Sequence, residues 1–319
     1  MTGTRCAMSA LAGYTWMSLA VLIWASWLVL TSSGHTTALS ILDLAGFRAI
    51  IPALMLAPLL WRHRQTVARL GVKRCLLMSA YGAPFTLCVG YGLSLAPVAH
   101  AGAMVPGLMP IFSIAIGAVF LNERLNQRQA VAVLLILSGP VAILSSSSQA
   151  SASDQLWTGH VFFFLGSFFW ACFTVTSRAQ DLPPFLATAI VGALSTVVLA
   201  PVWMLADLSN LDIAPRADIA FQAVFQGIVS GLVSVFAFSQ GLRLMGAQAA
   251  ALSALTPGVA ALLAIPVLGQ VPSAVDVFAL VLVVTGLIIR ASGRKDIPGK
   301  VGASVQATPP VQPRKSRLR

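Results

Sequence analysis

The sequence predicts an all-α integral membrane protein whose ten transmembrane helices form two inverted five-helix repeats. Ten apolar stretches, most of them about 20 residues long, run almost end to end through the 319 residues. A helix of ~20 apolar residues crosses a hydrocarbon layer of ~30 Å. Charged residues make up only 9% of the chain, whereas soluble domains carry roughly 25%. The two halves also share a pattern of residues, which predicts the repeat.

The apolar stretches are predicted to be helices, because they are continuous and lack the alternation of a membrane β-strand. The first stretch is too long for the core of a signal peptide, so we expect it to remain in the protein. The predicted spans cover residues 11–32, 39–60, 75–95, 98–121, 128–146, 157–177, 184–206, 218–242, 247–268 and 273–291.

The two halves match each other at an offset of 146 or 147 residues. Each half holds five spans, and this odd number inserts the second half upside-down relative to the first. Inverted repeats of this kind are the scaffold of many secondary transporters. The alternative is that duplication merely builds a large, stable bundle. The matched pairs are Trp24 and Trp170, Pro110 and Pro257, Glu123 and Gln270, and Gly139 and Gly286.

This pattern divides the chain into four parts. The first five-helix repeat covers residues 1–147, a polar connector covers 148–156, and the second repeat covers 157–291. The remaining residues, 292–319, are rich in proline, glycine and basic residues, a composition typical of a disordered tail.

The distribution of basic residues predicts the orientation. The net charge is +11, and 18 Lys and Arg residues lie on the cytoplasmic side when both termini are placed there, against one on the outer side. This asymmetry predicts a multi-pass protein of a bacterial-type inner or plasma membrane with cytoplasmic termini. The basic loop 61–74 and the tail suit anionic lipid headgroups. We expect no nucleic acid as a partner, and the sequence leaves a homodimer open.

Arg48 lies in an apolar span, and Pro110 is followed by the run Phe120 to Leu125 and then by Gln129. With this pattern, the chain resembles the EamA-type ten-helix carriers of the drug/metabolite transporter superfamily. The resemblance covers about residues 12–291 and implies export of amino acids, other small metabolites or drugs. Ala132 stands where the family usually has glycine, and Gln270 where a glutamate is common. The residues that carry the resemblance are Trp24, Arg48, Pro110, Phe120 to Leu125, Gln129, Gly139 and Trp170.

Arg48 is the strongest candidate for the site, because it lies about nine residues into the second predicted span. A charge at that depth costs at least ~2.5 kcal/mol on insertion scales, so it usually faces an aqueous cavity or a partner. The functional interpretation is a clamp for a carboxylate or another anionic group. The structural interpretation is a pairing, with Asp43 or with a carbonyl at a helix end.

Three further residues are candidates for gating or coupling. Glu123 lies at the cytoplasmic end of span four. The functional interpretation is that it titrates as part of proton coupling or gates the inner side, and the structural alternative is a salt bridge with nearby basic residues. Pro110 and Pro257 occupy matching places in the two halves, and proline bends helices by removing backbone hydrogen bonds. Matched bends suit alternating access, although rigid bends that never move are the competing interpretation.

Polar and aromatic residues within the spans are candidates for lining a cavity. Gln222 and Gln226 share a helix face with Ser230 and Ser234, and their amides need either a cavity or a helix interface. Cavity lining or core packing are both open for the aromatic candidates. His100, near the outer start of span four, is interpreted as structural rather than as a proton carrier. The aromatic candidates are Trp24, Tyr81, Tyr91 and Trp170.

The predicted function is a secondary transporter that exports a small polar or amphiphilic metabolite. We expect no enzyme activity, no cofactor and no metal ion, because motifs for ATP hydrolysis, proteolysis and metal binding are missing from the sequence. The alternatives are a nucleotide-sugar or sugar-phosphate exchanger, which should need several basic residues in its cavity, and a membrane scaffold that does not transport.

Overall fold

The computed structural model describes residues 2–36, 38–79, 81–121, 126–149, 154–180, 182–205 and 208–292. Glu123 and the tail beyond residue 292 lie outside these described residues. So do residues 150–153 of the predicted connector, whose flanks are helical.

The described residues of the first half form eight helices, and short breaks divide the second and third predicted spans into shorter pieces. The helices are α1 (Thr2–Thr36), α2 (Ile41–Met55), α3 (Ala57–Arg62), α4 (Arg64–Leu70), α5 (Val72–Ser79), α6 (Ala83–Leu95), α7 (Val98–Leu121) and α8 (Gln127–Gln149).

The described residues of the second half form seven α-helices and one unusual segment, a π-helical stretch of 11 residues at Ala223–Val233. It continues α11 and leads directly into α12. The helices are α9 (Asp154–Gln180), α10 (Pro184–Leu205), α11 (Arg216–Gln222), α12 (Ser234–Met245), α13 (Ala247–Ser253), α14 (Thr256–Leu268) and α15 (Ala274–Ser292).

Nine helical segments of the described residues are long and apolar enough to cross a membrane, against ten predicted. The second predicted span, 39–60, accounts for the difference, because α2 has only 15 residues. The helix breaks at Leu56, ahead of Pro58 in the first turn of α3. Pro58 has no N–H to bond the carbonyl of Leu54, so a continuous helix loses a hydrogen bond there.

The two halves are interleaved, because the main helix pairs each join one half to the other. Helix α1 packs on α12 and α14, α9 packs on α6 and α7, α2 packs on α10, and α8 packs on α15. The largest buried cluster accordingly draws residues from both halves, among them Phe85 and Met104 from the first and Phe163 and Ala260 from the second.

The two ends of the bundle carry different side chains, and one of them is rich in arginine. At the basic end, α1 begins and α3 and α4 carry Arg62, Arg64 and Arg69. At the opposite end, α7 and α15 begin and α14 ends.

Two glycines allow the close contact between α8 and α15. A Cβ added at Gly139 would lie 2.8 Å from the carbonyl oxygen of Ala279, and one added at Gly286 would lie 2.9 Å from that of Ala132. Each helix therefore needs a glycine where it meets the backbone of the other, as in other membrane helix pairs that approach closely.

We predict that Gly139→Ala destabilises the protein by about 1–3 kcal/mol, because the added methyl group forces α8 away from α15. Thermal unfolding of purified protein in detergent, followed by tryptophan fluorescence, measures the effect. Gly258→Ala is the matched control, since a Cβ at this position meets no atom within 4 Å. Equal melting temperatures for the two variants would contradict the close contact.

Candidate functional site

Two adjoining cavities occupy the middle of the bundle. Their volumes are about 610 Å³ and about 560 Å³. Both are lined by Trp24, Arg48, Trp170 and Thr174, so these four side chains stand between them. Three of the four come from the predicted site, and Thr174 adds a hydroxyl.

Arg48 is held at this shared wall by polar and aromatic groups rather than by an acid. Its Nη1 donates to Ser230 Oγ at 2.5 Å, and its Nη2 donates to Tyr81 Oη at 3.5 Å. Its guanidinium carbon lies 4.6 Å from the ring centroid of Trp27, a cation–π contact. The ion pair found between described residues joins two other side chains, and no described carboxylate neutralises Arg48.

Asp43 does not pair with Arg48, which removes one of the structural interpretations. It is fully buried at the start of α2. Its carboxylate joins α2 to the segment that follows α10, and a buried carboxylate is stable when several donors satisfy it. The donors are Ser40 N at 2.9 Å, Trp203 Nε1 at 2.7 Å, Ser209 Oγ at 2.7 Å and Asn210 N at 3.1 Å.

An aromatic cluster surrounds the guanidinium. Tyr81 meets the ring of Trp170 edge-on and stacks on Phe173, each at a centroid distance of 4.3 Å. Trp27 stacks on Phe85 at 5.6 Å. These rings offer apolar surface beside a positive charge, which suits a ligand with an apolar body and an anionic group.

Both cavities extend from this centre towards the basic end. The larger is also lined by Asn126 and Gln129 and by two more arginines, Arg128 and Arg290. The smaller reaches Pro184, at the start of α10. Residues from the first turns of α7 and α15, at the opposite end, line neither cavity.

Three predicted site residues lie elsewhere. Tyr91 is 42% exposed and stacks on Phe162 at the outer surface of the bundle. Gln222 and Gln226, 3% and 1% exposed, line neither cavity. They occupy a helix interface with α1, where Gln222 Nε2 donates to the carbonyl of Leu30 at 3.1 Å. The cavity interpretation of these three residues is therefore replaced by packing.

The two prolines differ in their surroundings. Pro110 lines the larger cavity, and α7 continues through it as one helix. Pro257 is buried in the first turn of α14, after a break that separates α13 from α14. Thr256 Oγ1 donates to the carbonyl of Ser253 at 2.8 Å, which Pro257 cannot do because it lacks an N–H. The helix is therefore continuous at Pro110 and interrupted just before Pro257, and the matched bends remain a prediction.

Sequence reasoning missed Trp27 and left Ser230 out of the proposed site. Trp27 stands one turn after Trp24 on α1, a spacing that puts both on one face, so its position carried a signal. Its indole N–H is buried without a hydrogen-bond partner, as is the hydroxyl of Ser177, which lines the smaller cavity.

A family comparison agrees with this architecture. The sequence pattern of the EamA-like transporter family matches residues 11–145 and again residues 157–291. The chain belongs to the EamA-like transporter family. The resemblance noted in the sequence is thereby confirmed, and the protein is a member of a family of membrane transporters.

Individual relatives are more distant. The pseudopaline exporter CntI of Pseudomonas aeruginosa, matched in two strains, is 27% identical over 111 residues, which are 35% of this chain and 39% of that exporter. The chain thus matches about two fifths of the exporter's length. One protein crystal structure superposes with a TM-score of 0.56 at 20% identity, over 89% of this chain and 96% of the other. At that identity the likeness concerns the fold alone.

We predict that Asp43→Asn destabilises the protein by about 2–3 kcal/mol, because an amide nitrogen in place of one carboxylate oxygen leaves a buried donor unpaired. Thermal unfolding in detergent measures the loss. Asp212→Asn is the matched control, since Asp212 lies in the same segment after α10 that contacts Asp43, but its own side chain is exposed. If the two variants unfolded at one temperature, Asp43 would not hold α2 in place.

Proposed function

We propose that the protein is a secondary transporter of ten membrane helices in two inverted repeats, which exports a small amphiphilic metabolite with an anionic group. The observation that carries this proposal is Arg48, a cation inside a cavity without a described carboxylate partner. A ligand that brings its own carboxylate would supply the missing charge.

The chemistry of the cavity favours a carboxylate over a cationic drug. A planar guanidinium bonds a carboxylate through two parallel N–H groups, so it fixes orientation as well as charge. The rings of Trp24 and Trp170 cover the apolar part of such a ligand. A cationic ligand would meet repulsion from Arg48, with Arg128 and Arg290 on the path to the basic end.

The packing of the helices supports the inverted repeat. Exchanging the halves turns the pair α7–α9 into α1–α14 and the pair α6–α9 into α1–α12, and each of these pairs is present. The pairs α8–α15 and α2–α10 are converted into themselves. The second match of the family pattern, at 157–291, also supports a duplication. Two equivalent halves can exchange conformations and open a central site to each side in turn.

Export from the cytoplasm is the proposed direction. The cavities extend to the basic end, and basic residues favour the cytoplasmic side of a membrane. A ligand would then enter from the cytoplasm and leave at the opposite end. The similarity to an exporter of pseudopaline supports the same direction and makes pseudopaline a reasonable first compound to test.

The proposal predicts transport by purified protein in liposomes that depends on Arg48. The panel contains aromatic and aliphatic amino acids, pseudopaline and a cationic drug, each measured by counterflow and with an imposed pH gradient. Arg48→Ala should lower transport of a carboxylate compound about 10- to 100-fold, because a hydrogen bond to a charged group is worth about 1.5–3 kcal/mol. Arg48→Lys should restore part of it, since the charge returns without the paired geometry.

Arg243→Ala is the matched control, because Arg243 is an exposed arginine near the basic end that lines neither cavity. It should transport like the unmodified protein. If the unmodified protein moved no compound of the panel, the transport proposal would be contradicted. Full activity of Arg48→Ala would instead contradict the anion clamp and leave transport itself intact.

A further inference from the structure

Three titratable side chains meet at the opposite end, far from the cavities. They are His100 on α7, His160 on α9 and Asp276 on α15. His100 Nε2 lies 3.0 Å from Asp276 Oδ1, and His100 Nδ1 lies 2.9 Å from His160 Nε2. All three are buried, with exposures of 8%, 2% and 8% in that order. They are called the histidine cluster below.

The histidine cluster joins the two halves at the end that neither cavity lining reaches. His100 belongs to the first half, and its two partners belong to the second. A second bond lies beside it, because Gln270 Oε1 accepts from the backbone N–H of Val98, the first residue of α7, at 2.9 Å. If this end opens, α7 separates from α15, and the contacts of His100 break or rearrange.

The hydrogen bonds of the cluster hold one site for a proton. Asp276 also accepts from the backbone N–H of Ser273 and remains an acceptor. Neutral His100 donates from Nε2 to Asp276 and accepts at Nδ1 from His160. Protonated His100 donates from both nitrogens, and His160 then accepts. His160 Nδ1 is buried without a partner. One added proton therefore changes the charge of the cluster from −1 to zero.

The elements that pack around the cluster bring few other titratable groups to it. Helix α14 has none. Helix α9 begins at exposed Asp154, α6 carries exposed Tyr91, and α1 carries His35 near its end at the same side. Arg128 on α8 and Arg290 on α15 lie at the basic end. Asp276 is thus the charge in direct contact with His100.

We infer that the histidine cluster is a proton-binding site that closes the opposite end of the bundle when a proton is bound. Closure removes Asp276 from water, and a buried charge is costly unless it is neutralised. The proton comes from water at the opposite end and is returned there on opening. This inference rests on the proposed transport function, in which the two ends open in turn.

Linkage fixes the sign and the size of the effect. Because the closed state binds the extra proton more tightly than the open state, acid favours closure. One linked proton changes the ratio of closed to open molecules by at most about tenfold per pH unit. Labelling between about pH 5 and about pH 8 covers the interval in which an unperturbed histidine changes its charge.

Chemical labelling tests the inference without any substrate. Ala99→Cys is introduced after the four native cysteines are replaced by serine, because Ala99 is buried against α15 beside the cluster. A membrane-impermeant maleimide then labels the full-length protein in liposomes across the pH range. Val271→Cys, at a position 76% exposed near the same end, corrects for the pH dependence of the thiol. The corrected rate should fall several-fold towards acid.

Three variants complete the test. His100→Gln and Asp276→Asn keep polar groups in place but remove the proton site or its counter-charge, and should label at a rate that pH does not change after correction. His63→Gln, on the basic side and outside the cluster, should keep the pH dependence of the unmodified protein. Gel filtration identifies a variant that misfolds. If one of the two cluster variants misfolds, the pH dependence of labelling in the other one tests the inference.

A corrected rate independent of pH in the unmodified protein would overturn the proton site, as would full pH dependence in a folded His100→Gln protein. This outcome is distinct from a failure of the transport proposal. Labelling reports opening even if no compound of the panel moves, and Arg48-dependent counterflow survives if the cluster binds no proton.

Discussion

A positive charge in the middle of an apolar bundle is the constraint on which the rest of the site depends. Arg48 is costly at that depth, and the described residues surround it with a hydroxyl, a phenol and an indole face instead of a carboxylate. Such partners orient the guanidinium without cancelling its charge. The charge therefore needs water or an anionic ligand, and two cavities that share its wall provide the space.

The halves of the interleaved bundle are joined differently at its two ends. Gly139 and Gly286 allow α8 and α15 to pack closely, which joins the two halves. At the opposite end, polar bonds from His100 and Val98 cross between the halves, whereas the cavities separate helices towards the basic end. Apolar packing does not respond to pH, whereas contacts between titratable side chains do. We therefore expect pH to regulate opening at the opposite end.

Sequence reasoning points to residues whose own chemistry restricts their surroundings, but it does not identify the neighbours that they meet in the fold. A charge within an apolar span pointed to Arg48, and the repeat pointed to Trp24 and Trp170, which line both cavities. Helical spacing placed Gln222 and Gln226 on one face, but it could not tell that α1 covers this face. His100 looked isolated because its partner His160 lies 60 residues away in the chain.

By itself, the sequence determined that the protein is helical, that it belongs in a membrane, that it contains a duplicated pattern, and which family it belongs to. These properties follow from composition, periodicity and residue spacing, which local chemistry controls. Only the tertiary structure decided that Trp27 and Ser230 hold Arg48, that Asp43 belongs to another network, and that His100 meets Asp276. Those contacts join residues far apart in the chain, and packing between helices alone brings them together.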